Sequence, residues 1–242
     1  MVLLRMEKKL LYLSSNDVKD CIDVKGAIEA VKSGIEALGY GKAVQPEKIY
    51  LEIKKQCGFV KPMIAYIEPM EAIATKVFSF FPNNPEKHGL PTVQALIILT
   101  DPETGTPIAV MDGTWITALR TGATTAIAAK YLSKRSSKVV GIFGAGVQGR
   151  SHLIALDEMF RLREVRISDV SKMAQQKFAQ EMNKSLGLTV VSVKTPLQAV
   201  KGADIVITAT TADKPLVQKE WIEKGMFIAK VGSYQEIEPE II

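Results

Sequence analysis

The chain has 242 residues, of which 47% are hydrophobic and 24% charged. These values sit near globular averages and exclude disordered and low-complexity classes. The net charge of +5 is spread evenly along the chain and marks out no basic tail or face, so a nucleic-acid partner is not expected. No apolar run approaches the roughly 18 residues of a membrane span. Cys21 and Cys57 are isolated, without partner histidines at ligand spacing, so neither a metal site nor a disulfide framework is expected. The amino terminus lacks a signal-peptide core, which points to the cytoplasm.

From Asp23, a natural N-cap, apolar residues at Val24, Ile28, Val31, Ile35 and Leu38 trace the stripe of an amphipathic helix. Strands are expected at Ile49–Ile53, Met63–Ile67, Ala72–Phe78 and Val93–Leu99, separated by Pro and Gly turns. Asp101-Pro102-Glu103-Thr104-Gly105 has turn chemistry at every position, and the apolar run Pro107–Met111 completes a hairpin. Thr114–Leu132, rich in Ala, Leu and Ile, reads as a buried helix.

After Ser133–Ser137 the pattern changes to alternating strands and helices. Strands are expected at Lys138–Phe143, Glu164–Ser168, Leu188–Val193, Asp204–Ala209 and Met226–Val231, with helices beginning near Gly149, Ser171, Pro196 and Lys219. Alternating βαβ units imply a doubly wound parallel sheet. A boundary near Ser136 divides the chain into domains 1–136 and 137–242.

The strand Val139–Phe143 runs directly into Gly144-Ala145-Gly146-Val147-Gln148-Gly149, a G-x-G-x-x-G in its expected context. The first glycine permits a tight turn, the second lets backbone approach a pyrophosphate, and the third lets helix and strand pack closely. The helix N-terminus offers free N–H groups and positive dipole to phosphates. Asp169 follows Gly149 by 20 residues, at the end of the next strand, where a carboxylate accepts from a ribose and repels a 2′-phosphate. NAD is therefore favoured over NADP, although Ser171 and Lys172 leave NADP open, and Asp169 as a mere helix-capping residue is the alternative.

The same letters, Gly144 to Gly149-Arg150-Ser151, fall one residue short of a P-loop, with Arg where Lys belongs. A guanidinium is no equivalent for that ammonium, so dinucleotide binding is the better reading. Asp204, Thr208, Thr210 and Thr211 are placed at and beyond the carboxyl end of the fourth strand, as ligand groups or equally as turn residues. His88 and His152 have no nucleophile arrangement around them, and His152 falls in the first turns of the dinucleotide helix.

Lys76, Pro91-Thr92-Val93, Asp112-Gly113, Thr117-Ala118-Leu119-Arg120-Thr121 and the glycine loop together resemble the ornithine cyclodeaminase/mu-crystallin family, along the whole chain. The resemblance implies an α/β protein in which an α+β substrate-binding and dimerisation domain precedes the Rossmann-type sheet. It also implies a homodimer and an NAD(P)-linked reaction at the α-carbon of a small amino or imino acid. Within it, Lys76 matches the active-site lysine and Arg120 the arginine that holds the substrate carboxylate, with Lys48 and Met63 as further substrate positions. Thr92, Thr121, Gly144, Gly146, Val147, Gln148, Gly149, Asp169, Thr210, Val231, Gly232 and Ser233 fall at cofactor positions. Physical chemistry agrees on two of these: Arg offers a planar fork for a carboxylate, and a lysine in an enclosed site can exchange a proton.

Three positions depart from the cyclodeaminase pattern. Lys48 replaces a second carboxylate-binding arginine, Lys61 a glutamate and Tyr234 an aspartate. A diamino substrate would leave its second cation unpaired in such a site. An oxidoreductase of the alanine dehydrogenase or ketimine reductase type is therefore expected ahead of ornithine cyclodeaminase, with a non-catalytic ligand-binding protein as a further alternative. The chain also ends at Ile242, just past the fifth strand, where relatives continue through a sixth strand and a returning helix. A fragment, a truncated product and a chain completed by a partner all remain open.

Overall fold

The computed structural model describes residues 9–241, which form two compact units divided between Thr117 and Ala118. In the first, β1 (Leu11–Leu13), α1 (Ser15–Cys21) and α2 (Val24–Gly39) precede a run of strands. These are β2 (Ala43–Val44), β3 (Leu51–Ile53), β4 (Gly58–Ile67) and β5 (Ala72–Phe80), then a short helix α3 (Asn84–His88), β6 (Val93–Thr100) and β7 (Pro107–Asp112). They build a seven-stranded sheet in the order β1-β7-β6-β5-β4-β2, with β3 paired to β4. All pairs are antiparallel except β1 with β7.

Local chemistry sets the ends of these elements. The Asp23 carboxylate accepts from Gly26 N at 2.7 Å and caps α2, as its position predicts. Asp101 Oδ1 accepts from Glu103 N and Thr104 N, and Gly105 takes φ +70°, closing the β6–β7 hairpin. β4 starts five residues earlier than Met63, because Phe59 and Val60 pair with β5 on one side and β3 on the other. Pro62 is tolerated inside it, in the gap between β3 and β2 where β4 has a strand neighbour on one side only.

The helix α4 (Thr114–Leu132) begins in the first unit and continues into the second. There it is followed by β8 (Val139–Phe143), α5 (Val147–Met159), β9 (Glu164–Ser168), α6 (Lys172–Leu186), β10 (Thr189–Ser192), α7 (Pro196–Val200), β11 (Ile205–Thr208) and β12 (Phe227–Lys230). The five strands are parallel, in the order β10-β9-β8-β11-β12. Every residue of β8 and β11 is buried, which is why both read as unbroken apolar runs. The chain winds outward from β8 in one direction and returns beside it as β11, so the β8/β11 carboxyl ends form the switch point of the sheet.

One expected helix does not form. Lys219–Trp221 makes a single 3-10 turn and Ile222 returns to extended backbone. Gly225, at φ +90°, closes the segment before a second turn can repay the cost of nucleation.

Candidate active site

The glycine loop joins β8 to α5 at this switch point. Gly144 takes φ +102°, and a Cβ there would strike the Ala209 carbonyl at the end of β11. A Cβ on Gly149 would strike Gly144 O, so the helix start and the loop approach as only glycine allows. Gly146 has no heavy atom within 4 Å of where its Cβ would stand, leaving the outer side of the loop open. Val147 beside it is exposed, and the first amides of α5 face the same end.

Asp169 stands at the carboxyl end of β9 and is seated against this loop. Its Oδ2 accepts from Ala145 N at 2.7 Å and its Oδ1 from Ser171 N at 2.8 Å. A carboxylate has about four acceptor sites, so lone pairs remain for ribose hydroxyls. The buried Gln175 holds the turn from behind: its Oε1 accepts from Asp169 N at 3.0 Å, and its Nε2 donates to Val193 O at 2.6 Å. These parts fit a nicotinamide dinucleotide. They do not make a P-loop, because the Arg150 guanidinium is committed elsewhere. It pairs with Glu181 at 2.5 Å, donates to the carbonyls of Ala145 and Gly146, and stacks on Phe178. This pairing holds the Glu181 carboxyl below its usual range.

The segment after β12 is tied to β11 by a residue that the sequence reading passed over. The fully buried Glu236 carboxylate accepts from Thr208 Oγ1 (2.9 Å), Thr210 N (2.6 Å), Thr210 Oγ1 (2.7 Å) and Gly232 N (2.7 Å). Thr210 and Gly232 are thereby gathered at the carboxyl edge of the sheet, with Val231 N held by Thr208 O at 2.8 Å and Ser233 following, exposed. A glutamate among polar neighbours gives no periodic signal, and only the fold shows what it ties. Asp204 is a correction. It precedes β11 at its amino end, where its carboxylate accepts from Lys138 N (2.8 Å) and Val139 N (3.0 Å). That is the edge opposite the glycine loop, so Asp204 is structural.

In the first unit, Lys76 stands in β5 opposite Met63 of β4 and Ile97 of β6, and the three share one face of the sheet. Its Nζ donates to Thr117 Oγ1 at 3.4 Å and lies 5.7 Å from the Phe78 ring centre. Gly113, just before α4, packs on this face against Ile97 and Ala95, and so brings Thr117 within reach. The Lys61 ammonium lies 5.5 Å from the same Phe78 ring centre and 4.7 Å from the Tyr50 ring centre, and donates to the Tyr50 hydroxyl. Lys48 is exposed and lines a cavity of about 300 Å³ with Met63, Ile64 and Thr75; Lys76 is not part of that lining. Thr92, half-buried, accepts from Phe81 N through its carbonyl at 2.8 Å.

Arg120 and Thr121 are half-buried on α4, and Arg120 follows Thr117 by three positions on that helix. Burial lowers the Arg120 pKa from its usual value, and its Nε is buried without a partner.

Three comparisons identify the chain's relatives. An alanine dehydrogenase of Archaeoglobus fulgidus is 39% identical over 236 residues, 96% of this chain and 71% of that protein. The structure of a Thermococcus litoralis Δ1-pyrroline-2-carboxylate reductase, in complex with NADH and L-proline, is 42% identical with a TM-score of 0.93, over 96% of this chain and 73% of that one. An archaeal alanine dehydrogenase dimer with bound NAD is 39% identical with a TM-score of 0.84, over 90% of this chain and 66% of that one. The model of the ornithine cyclodeaminase/mu-crystallin family matches residues 8–241. The chain belongs to the ornithine cyclodeaminase/mu-crystallin family.

Proposed function

We propose that this protein is an NAD-dependent oxidoreductase that interconverts a small α-imino acid and the corresponding α-amino acid. The observation that carries the reading is Asp169, seated on the amide of the glycine loop at the switch point, in a chain similar along nearly its whole length to a reductase bound to NADH and L-proline. The nicotinamide, when bound, supplies or accepts the hydride at the α-carbon. The protein's own residues bind, orient and manage the proton.

Asp169 accepts from the adenosine ribose hydroxyls and its charge disfavours a 2′-phosphate. The amides opening α5 face the pyrophosphate. Arg120 presents its planar fork to the substrate carboxylate, and its low exposure strengthens that charge-assisted contact. Lys76, steadied by Thr117 Oγ1, holds the proton exchanged at the substrate nitrogen.

The protein acts as a homodimer. The face of the first sheet opposite Lys76 exposes Ile64 (47%), Val77 (40%) and Leu96 (41%), aligned across β4, β5 and β6, and an apolar face of this kind is suited to a second copy. A cytoplasmic location accords with two exposed free thiols, Cys21 and Cys57. Among the described residues, no helix is long and apolar enough to cross a membrane.

The test is steady-state NADH oxidation with Δ1-pyrroline-2-carboxylate and with pyruvate plus ammonia, beside proline formation from L-ornithine. Turnover of an imino substrate with NADH preferred over NADPH is expected. Faster proline formation from ornithine would overturn the reading in favour of a cyclodeaminase.

A further inference from the structure

His152 is fully buried in α5, one turn after Gln148, and the proton step does not use it. Its Nδ1 lies 2.7 Å from Gln148 O. A carbonyl only accepts, so Nδ1 carries the hydrogen and Nε2 presents a lone pair. That Nε2 is buried without a partner, as are Gln148 Oε1 and, on α4, Arg120 Nε. The two helices cross closely. A Cβ on Gly122 would strike Ser151 O and stand 3.1 Å from His152 N, so the helix carrying Arg120 meets α5 at His152 itself. Two orphaned acceptors on one helix and one orphaned donor on the other are complementary, and leaving each unmatched costs stability.

We infer that His152 is a positioning residue for Arg120: its Nε2 takes the Arg120 Nε–H and fixes the guanidinium plane, leaving the terminal nitrogens free for a carboxylate. The inference rests on the reading that Arg120 holds the substrate carboxylate. A neutral ring is required, since an imidazolium has no lone pair and would repel the guanidinium. Burial, with the Arg120 charge adding to it, lowers the His152 pKa to about 4, which keeps the ring neutral at ordinary pH. A guanidinium free to turn about its last bonds would still attract a carboxylate but would lose the paired geometry. The effect should therefore fall on substrate binding and leave the cofactor untouched.

The experiment measures L-proline binding to the NADH-loaded protein by calorimetry, with KM and kcat for Δ1-pyrroline-2-carboxylate in parallel. His152→Leu is expected to weaken L-proline binding and raise KM about tenfold, the scale of one hydrogen bond to a charged group, with NADH affinity unchanged. His152→Gln, which restores an acceptor of similar reach, should recover most of the loss, and His152→Asn, which is shorter, should not. In an Arg120→Gln background the His152→Leu effect should vanish.

Equal effects of Leu and Gln at unchanged NADH affinity, or a His152 effect that persists without Arg120, would overturn the inference. If His152→Leu fails to fold, the Gln-to-Asn contrast decides in the same way. Should Arg120→Gln itself leave L-proline binding intact, the reading of Arg120 falls first, and the two failures are told apart.

Discussion

The two units are stabilised in different ways. In the second, a parallel sheet has strands β8 and β11 buried at every residue, and three of the loops at its carboxyl edge are held by buried side chains, Gln175 behind Asp169 and Glu236 behind Thr210 and Gly232. In the first, no strand of the sheet is buried throughout, and Ile64, Val77 and Leu96 remain exposed on one face. A sheet covered on both faces can set a binding loop rigidly. A sheet with one open apolar face leaves that face available for association. The candidate residues fall on both sides of this contrast: the glycine loop and Asp169 stand in the second unit, Lys76 and Thr92 in the first.

The largest expected effect tests that contrast directly. Lys76→Ala should lower kcat by roughly 10³-fold, within the range for a lost acid–base group. NADH affinity, measured by fluorescence titration, should stay within twofold of the parent. A parallel loss of NADH binding would mean that the first unit shapes the cofactor site as well.

Next in size is the stability of the second unit at low pH. The unfolded chain protonates His152 below its ordinary value of 6.5, while the folded protein resists until about 4. Stability is therefore fully present above 6.5 and falls as the pH drops between those values, by about 3 kcal/mol in all at 1.36 kcal/mol per unit. Urea unfolding followed by Trp221, with Trp115→Phe to silence the first unit, should show this slope between pH 7 and 4.5. His152→Gln should flatten it. An unchanged slope in the Gln variant would assign the pH dependence to carboxylates instead.

Smaller again is the effect of Asp169→Asn, which keeps the shape of the side chain and removes its charge. NADH should bind about tenfold more weakly, on the order of 1.5 kcal/mol for a charge-assisted contact, and NADPH should weaken less or tighten. A preference for NADH over NADPH that does not move would remove Asp169 from cofactor selection.

Legibility followed the same divide. In the second unit β8 and β11 are covered on both faces and so appear as apolar runs, and G-x-G-x-x-G with Asp169 could be read with its structural context. In the first unit the element types were readable but their extents were not. Gly58 and Pro62 look like breakers, yet β4 starts at Gly58, which pairs with Ile53 of β3, and runs through Pro62, which pairs with Val77 of β5. β1 and α1 were passed over, since a three-residue strand and a seven-residue helix give too short a pattern, although Ser14 and Asp17 form a capping box at 3.4 and 2.8 Å. Glu236 and Gln175 were illegible for a different reason: they hold partners up to 28 and 18 positions away, and no local spacing announces such a partner.

The smallest prediction compares the units on equal terms. Asp23 caps α2 through Gly26 N at 2.7 Å, and Ser171 caps α6 through Ala174 N at 3.2 Å. Each Ala replacement should cost about 1 kcal/mol. Trp115 lies in the first unit and Trp221 in the second, so single-tryptophan variants give each its own emission signal. Asp23→Ala should shift the urea midpoint seen by Trp115, and Ser171→Ala that seen by Trp221. A shift of both signals by either substitution would show that the units unfold as one. The contrast between the two units would then be one of architecture without being one of stability.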